Sequence, residues 1–81
     1  MEILKVGTGF YVPKDEIEFI GEYSSKTIID LVKNAKNEHK VIDVTRNRGT
    51  LSIIILKTNN KVILSPIALT TLLKNVNNSK T

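Results

Sequence analysis

The sequence contains no cysteine. That single absence removes a disulfide framework, a thiolate metal site and a cysteine nucleophile, and it makes the cytosol the expected compartment. Histidine occurs once, at His39. A zinc site recruits several His or Cys ligands, and a Ser–His pair with Ser24 or Ser25 would need an orienting third group. No such partner stands at an interpretable spacing, so His39 is expected to face solvent at a helix exit. Long hydrophobic runs are also missing. The longest, Ile53 to Leu56, is far too short to cross a bilayer, and the opening Met1-Glu2-Ile3-Leu4-Lys5-Val6 has no signal-peptide apolar core. No membrane partner, metal, cofactor or small-molecule substrate is therefore expected, and no catalysis.

What is present is one ordinary globular domain's worth of chain. Its 81 residues are 41% hydrophobic and 25% charged, a composition that folds rather than one that stays disordered. A chain this short buries a modest core, so self-association is a plausible further source of stability. The net charge of +4 is unevenly spread. Residues 1–22 hold five acids (Glu2, Asp15, Glu16, Glu18, Glu22) against two lysines, whereas residues 23–81 hold ten basic side chains against three acids. A basic body points to a polyanionic partner such as nucleic acid, and the competing account is a solvated lysine-rich surface.

Patterning along the chain predicts strands at Ile3–Val6, Phe10–Val12 and Ile17–Tyr23. The last has Ile17 and Phe19 on one face and Glu18, Ile20 and Glu22 on the other. Ser24-Ser25 is a helix N-cap signal. Ile28, Leu31, Val32 and Ala35 then recur at the spacing of one helical face, to about Asn37. Val41–Val44 reads as a strand, Leu51–Leu56 as a β-branched strand covered on both faces, and Val62–Leu64 as its hairpin partner. Ser65-Pro66 has the form of a helix start, serine at the cap and proline in the first turn, leading into a stripe of Leu69, Leu72, Leu73 and Val76. The expected fold is α+β, a small β-β-α-β-β-β-α domain with a mixed or antiparallel sheet and two helices over residues 1–76. A loose polar tail is expected at 77–81.

Gly7-Thr8-Gly9 lacks the third glycine and following helix of a phosphate-cradling loop, so a backbone turn is expected there. Asp15, Glu16 and Glu18 could be imagined as paired carboxylates for acid–base work, but a solvated edge accounts for them better. Asp43 lies inside a strand just before a basic loop. It is either a partner for Arg46, Arg48 or the loop backbone, or an outward-facing strand residue. Arg46-Asn47-Arg48 carries the functional expectation. These are the chain's two arginines, set in one short loop between Thr45 and Thr50. A guanidinium fork suits phosphate oxygens and guanine edges, and asparagine can pair with adenine. The alternative is a solvated loop.

Several segments together resemble a known bacterial family. Val41-Ile42-Asp43-Val44-Thr45-Arg46-Asn47-Arg48-Gly49-Thr50, then Ser52-Ile53-Ile54-Ile55, then Val62-Ile63-Leu64-Ser65-Pro66, look like the RemA/RemB-like regulators of extracellular-matrix and biofilm genes. Val6-Gly7-Thr8-Gly9 matches the family's opening strand and glycine pair, and Ala35-Lys36 stands where the family has Ala-Arg. Ser65-Pro66-Ile67 with Thr71-Leu72 and Lys74 is closer to the RemB-type end. The resemblance covers residues 1–76. It implies a fold similar to the LytTR DNA-binding domain, a homo-oligomeric ring, and double-stranded DNA as partner. Arg48 matches the first arginine of the family's pair and Arg46 is the nearby residue that could replace the second; with Asn47 of the same loop they are the expected contacts, with Lys14 and Lys36 in support. Two positions depart from the family: Gly49 stands where the second arginine of an adjacent pair would be, and Glu16 or Asp15 where an N-terminal arginine would be.

Overall fold

The computed structural model describes residues 2–77. It is α+β, as the patterning implies, with six strands and two α-helices, but three strands rather than two precede the first helix, so the order is β-β-β-α-β-β-β-α. Strands β1 (Ile3–Gly7) and β2 (Phe10–Pro13) form an antiparallel hairpin of their own. A single 3-10 turn at Lys14–Glu16 leads into β3 (Ile17–Glu22). Helix α1 (Lys26–Asn37), β4 (Val41–Asp43), β5 (Ser52–Leu56), β6 (Val62–Ser65) and α2 (Leu69–Asn77) complete the chain. The main sheet is mixed, in the order β3-β5-β6-β4. Strand β5 lies antiparallel to β3 and β6, and β4 runs parallel to β6.

Each face of this sheet carries its own apolar layer. On one face Ile54 and Ile63 pack with Leu4 and Val6 of β1, Val12 of β2, Val44 and Leu72 of α2. On the other face Ile53, Val62 and Leu64 pack with Val32 and Ala35 of α1. Successive residues of β5 therefore serve opposite layers, and this is why the strand is apolar throughout. The sheet is the middle of three layers, with α1 on one side and the hairpin with α2 on the other.

Helix α1 begins as expected, with the Ser25 hydroxyl accepting from the Ile28 N–H at 3.3 Å. It ends in a Schellman arrangement. The Lys40 N–H donates to the Ala35 carbonyl, and the His39 N–H donates to that of Lys36. His39 holds the left-handed position, with φ 58°, and is exposed. Glycine is the residue that fits this position without a Cβ penalty. His39→Gly is thus expected to raise the midpoint of thermal unfolding by a few degrees, read by circular dichroism. A lower midpoint would mean that the imidazole contributes contacts of its own.

Four further expectations need correction. Ser65-Pro66 does not start a helix. Ser65 is the last residue of β6 and α2 begins at Leu69, because the Ser65 hydroxyl is engaged across the core: it donates to the Val6 carbonyl at 2.7 Å and accepts from the Ile67 N–H at 3.1 Å. The strand before α1 stops at Glu22, and its two faces are not those the alternation gave. A bulge between Ile17 and Phe19 inserts a residue, so Ile17 and Ile20 both pack toward the hairpin layer and Phe19 is left 42% exposed. In α2, Leu72 is fully buried but Leu73 is 43% exposed, so the stripe is narrower than drawn. Asn77, the first residue of the expected tail, closes α2. Residues 78–81 lie outside the described residues.

A candidate nucleic-acid interface

The arginine loop sits at one end of the sheet, between the carboxyl end of β4 and the amino end of β5. Its backbone is tightly wound. The Arg48 N–H donates to the Thr45 carbonyl at 3.1 Å, and Arg46 and Asn47 have φ of 54° and 69°. Positive φ at both central positions is the mark of a type I′ turn. Asparagine tolerates that region, whereas arginine is held there at a cost. Gly49 follows at φ 90°. The turn throws the side chains of Arg46, Asn47 and Arg48 outward, and all three are exposed.

The entry to the turn is braced by Asp43. One of its carboxylate oxygens accepts from the Thr45 N–H at 2.8 Å and from the Thr45 hydroxyl at 2.6 Å. Of the two readings of Asp43, the structure favours a partner for the loop backbone. It is exposed, yet it holds Thr45 rather than an arginine. These two hydrogen bonds, the side-chain one foremost, hold its carboxyl below the usual carboxylate range. The positive charge of Lys36 adds to this, against a small opposing effect of burial. A folded-state pKa below the unfolded one contributes stability that is present at neutral pH and lost as pH falls through the folded value. The Thr45 amide resonance is therefore expected to move on acidification with a midpoint below that of a free aspartate. Asp43→Asn should abolish that titration. A midpoint at or above the free value would show that the brace does not form.

The tip of the β1–β2 hairpin leans on the same loop. A Cβ on Gly7 would come within 2.9 Å of the Val44 side chain and 3.0 Å of its carbonyl oxygen, so glycine is what allows hairpin and loop to touch. Gly9, at φ 81°, makes the turn itself, and Gly7-Thr8-Gly9 is a hairpin end as expected. Beyond it the Arg46 guanidinium lies 6.0 Å from the Phe10 ring centroid, at the outer reach of a cation–π contact. Among the described residues the ion pairs are Lys26–Asp30 and Lys40–Glu38, and neither involves an arginine.

The remaining candidates are not gathered here. Lys14 stands just before β3, at the far end of the sheet, and donates to the Asn75 carbonyl in α2 at 3.1 Å. Lys36 lies near the carboxyl end of α1, exposed and close enough for its charge to act on Asp43. Glu16 is also at the far end, accepting from the Thr58 hydroxyl at 2.9 Å. That end carries an open apolar groove of about 540 Å³, floored by Phe19, Leu31, Ile55 and Val62 and rimmed by Glu18 and Glu38. The sequence pattern gave no sign of it, since the bulge that exposes Phe19 is not written in the alternation. Among the described residues no group of three or more His, Cys, Asp or Glu could hold a metal ion.

A family model described as RemA-like, extracellular matrix regulatory protein A-like, matches residues 3–76. The chain belongs to this family. The match spans both apolar layers and the whole arginine loop, so the RemA-like likeness rests on more than the loop motif. The family's description is that of a regulatory protein. No curated protein sequence matches the chain. No helix among the described residues of this RemA-like chain is long and apolar enough to cross a membrane.

Proposed function

We propose that this chain is a cytoplasmic transcriptional regulator of extracellular-matrix and biofilm genes, and that it binds double-stranded DNA as a homo-oligomeric ring. The observation that carries the reading is the turn at Thr45–Arg48. Two arginines are displayed on a backbone braced by Asp43, one of them in a left-handed conformation, and neither has an acidic partner among the described residues. Backbone held in a sparsely populated region persists where the surroundings over-determine it, often at functional sites. Arg46 and Arg48 would reach phosphates or guanine edges, with Asn47 between them able to read adenine. Lys36 supports the loop from α1, and Lys14 contributes where the duplex runs along α2. A few cationic contacts per subunit become tight binding when repeated around an assembly.

A second reading is favoured by the groove at the opposite end. A module that self-assembles through Phe19, Leu31 and Ile55 without touching DNA would use that surface and leave the arginines idle. Light scattering at micromolar concentration, with and without a mixed-sequence duplex, separates the two. The expected result is a mass several times the monomer's that rises further with duplex at low salt. A multimer that ignores DNA would favour the second reading, and a monomer at all concentrations would remove the ring.

A further inference from the structure

We propose that a recess beside the arginine turn is a phosphate seat built by three separate elements. The cleft, of about 390 Å³, receives Lys5 and Thr8 from the hairpin, Thr71 and Asn75 from α2, and Arg48 from the loop. Thr71 and Asn75 are four residues apart and so share one helical face. Lysine, arginine, threonine and asparagine side chains can all donate hydrogen bonds, and among the described residues no carboxylate lines the space. Two cations thus face a common volume with no acidic group among the described residues to neutralise them, an arrangement that an anion relieves.

Among the described residues, the side chains of Lys5, Thr8, Arg48 and Thr71 make no hydrogen bond or ion pair. Asp43, the acid nearest Arg48 in sequence, is taken up by Thr45. The volume lies in the range of small-ligand sites. Donors arriving from three directions suit a group that offers several acceptor oxygens, as phosphate does.

The seat deepens the DNA reading insofar as a backbone phosphate would occupy it, but a free phosphorylated small molecule offers the same oxygens. Two titrations tell the sources apart. In the first, inorganic pyrophosphate is added at low salt to the isotope-labelled full chain, for wild type, Lys5→Gln and Thr71→Val. In the second, the same proteins bind a labelled duplex across a salt series. Pyrophosphate is expected to shift the Thr8, Ile67 and Thr71 amides, at least about tenfold more weakly in Lys5→Gln. The duplex should show a salt dependence shallower by about one unit of slope per lost contact.

Shifted amides with no duplex binding by wild type would keep the seat, assign it to a free phosphorylated molecule, and fail the DNA reading alone. Altered duplex slopes without pyrophosphate shifts would assign it to DNA backbone. The proposal is overturned if pyrophosphate leaves these amides still and both variants bind duplex with wild-type affinity and slope. Lys5 and Thr71 are exposed, so the variants are expected to fold, and their amide spectra verify it.

Discussion

Arg48→Ala is expected to weaken duplex binding by about tenfold to a hundredfold while leaving thermal stability within a few degrees of wild type. One arginine contact to a base edge or phosphate is worth about 1–3 kcal/mol, and the loss recurs at every subunit engaged. Folding should hardly notice, because an exposed loop side chain contributes within about half a kcal/mol and Arg48 has no intramolecular partner among the described residues. Arg46 permits a sharper separation. Its φ of 54° makes glycine the better backbone residue there, so Arg46→Gly should hold or raise the melting temperature while DNA binding falls. Stability and affinity moving in opposite directions would mark a residue kept for contact rather than for folding. Fluorescence anisotropy and a melting curve on the same preparations read both. An arginine variant that unfolds, yet binds normally in its folded fraction, would make the loop structural.

Ser65→Ala is expected to have the largest effect on stability. The hydroxyl is fully buried and ties three segments together: β6, the Val6 carbonyl of β1, and the Ile67 N–H on the way to α2. Removing it orphans a buried acceptor and a donor, at a cost of about 1–3 kcal/mol. In a domain of this size each kcal/mol shifts the melting temperature by roughly 4–8 °C. Because Val6 precedes Gly7, which rests on Val44, the loss should also loosen the hairpin against the arginine loop. Hydrogen exchange at Val6, Gly7 and Val44 should therefore quicken more than at Val32 or Ala35 in the other layer. Uniform quickening across both layers would mean that Ser65 merely adds to global stability and does not clamp the hairpin.

The strands and α1 were legible because each obeys one rule at a time. The aliphatic run of β5 reads as two-sided burial and is so, and Ser25 reads as a cap and is one. The misreadings fall where a tertiary demand overrode a local signal. Ser65-Pro66 has a helix start's chemistry, but a buried hydroxyl answers to whichever backbone group lies across the core, and that was Val6. The β3 faces were inverted beyond Glu18 because a bulge adds a residue without leaving a mark in a six-residue strand. The arginine turn was legible as a cluster but not as a shape. Nothing in Arg46-Asn47-Arg48 announces consecutive positive φ, since arginine rarely adopts it. Lys5 and Thr71 were invisible as partners of Arg48, because a hairpin, a loop and a helix that converge in space are scattered along the chain.

The central claim, that the loop end of this chain binds duplex DNA electrostatically, is tested most directly by one titration. Wild-type protein is added to a labelled mixed-sequence duplex at several salt concentrations. The expected result is measurable binding at low salt that weakens at least about tenfold by moderate salt, log affinity falling linearly with log salt as counterions are released. No binding at the lowest salt, or binding indifferent to salt, would contradict it.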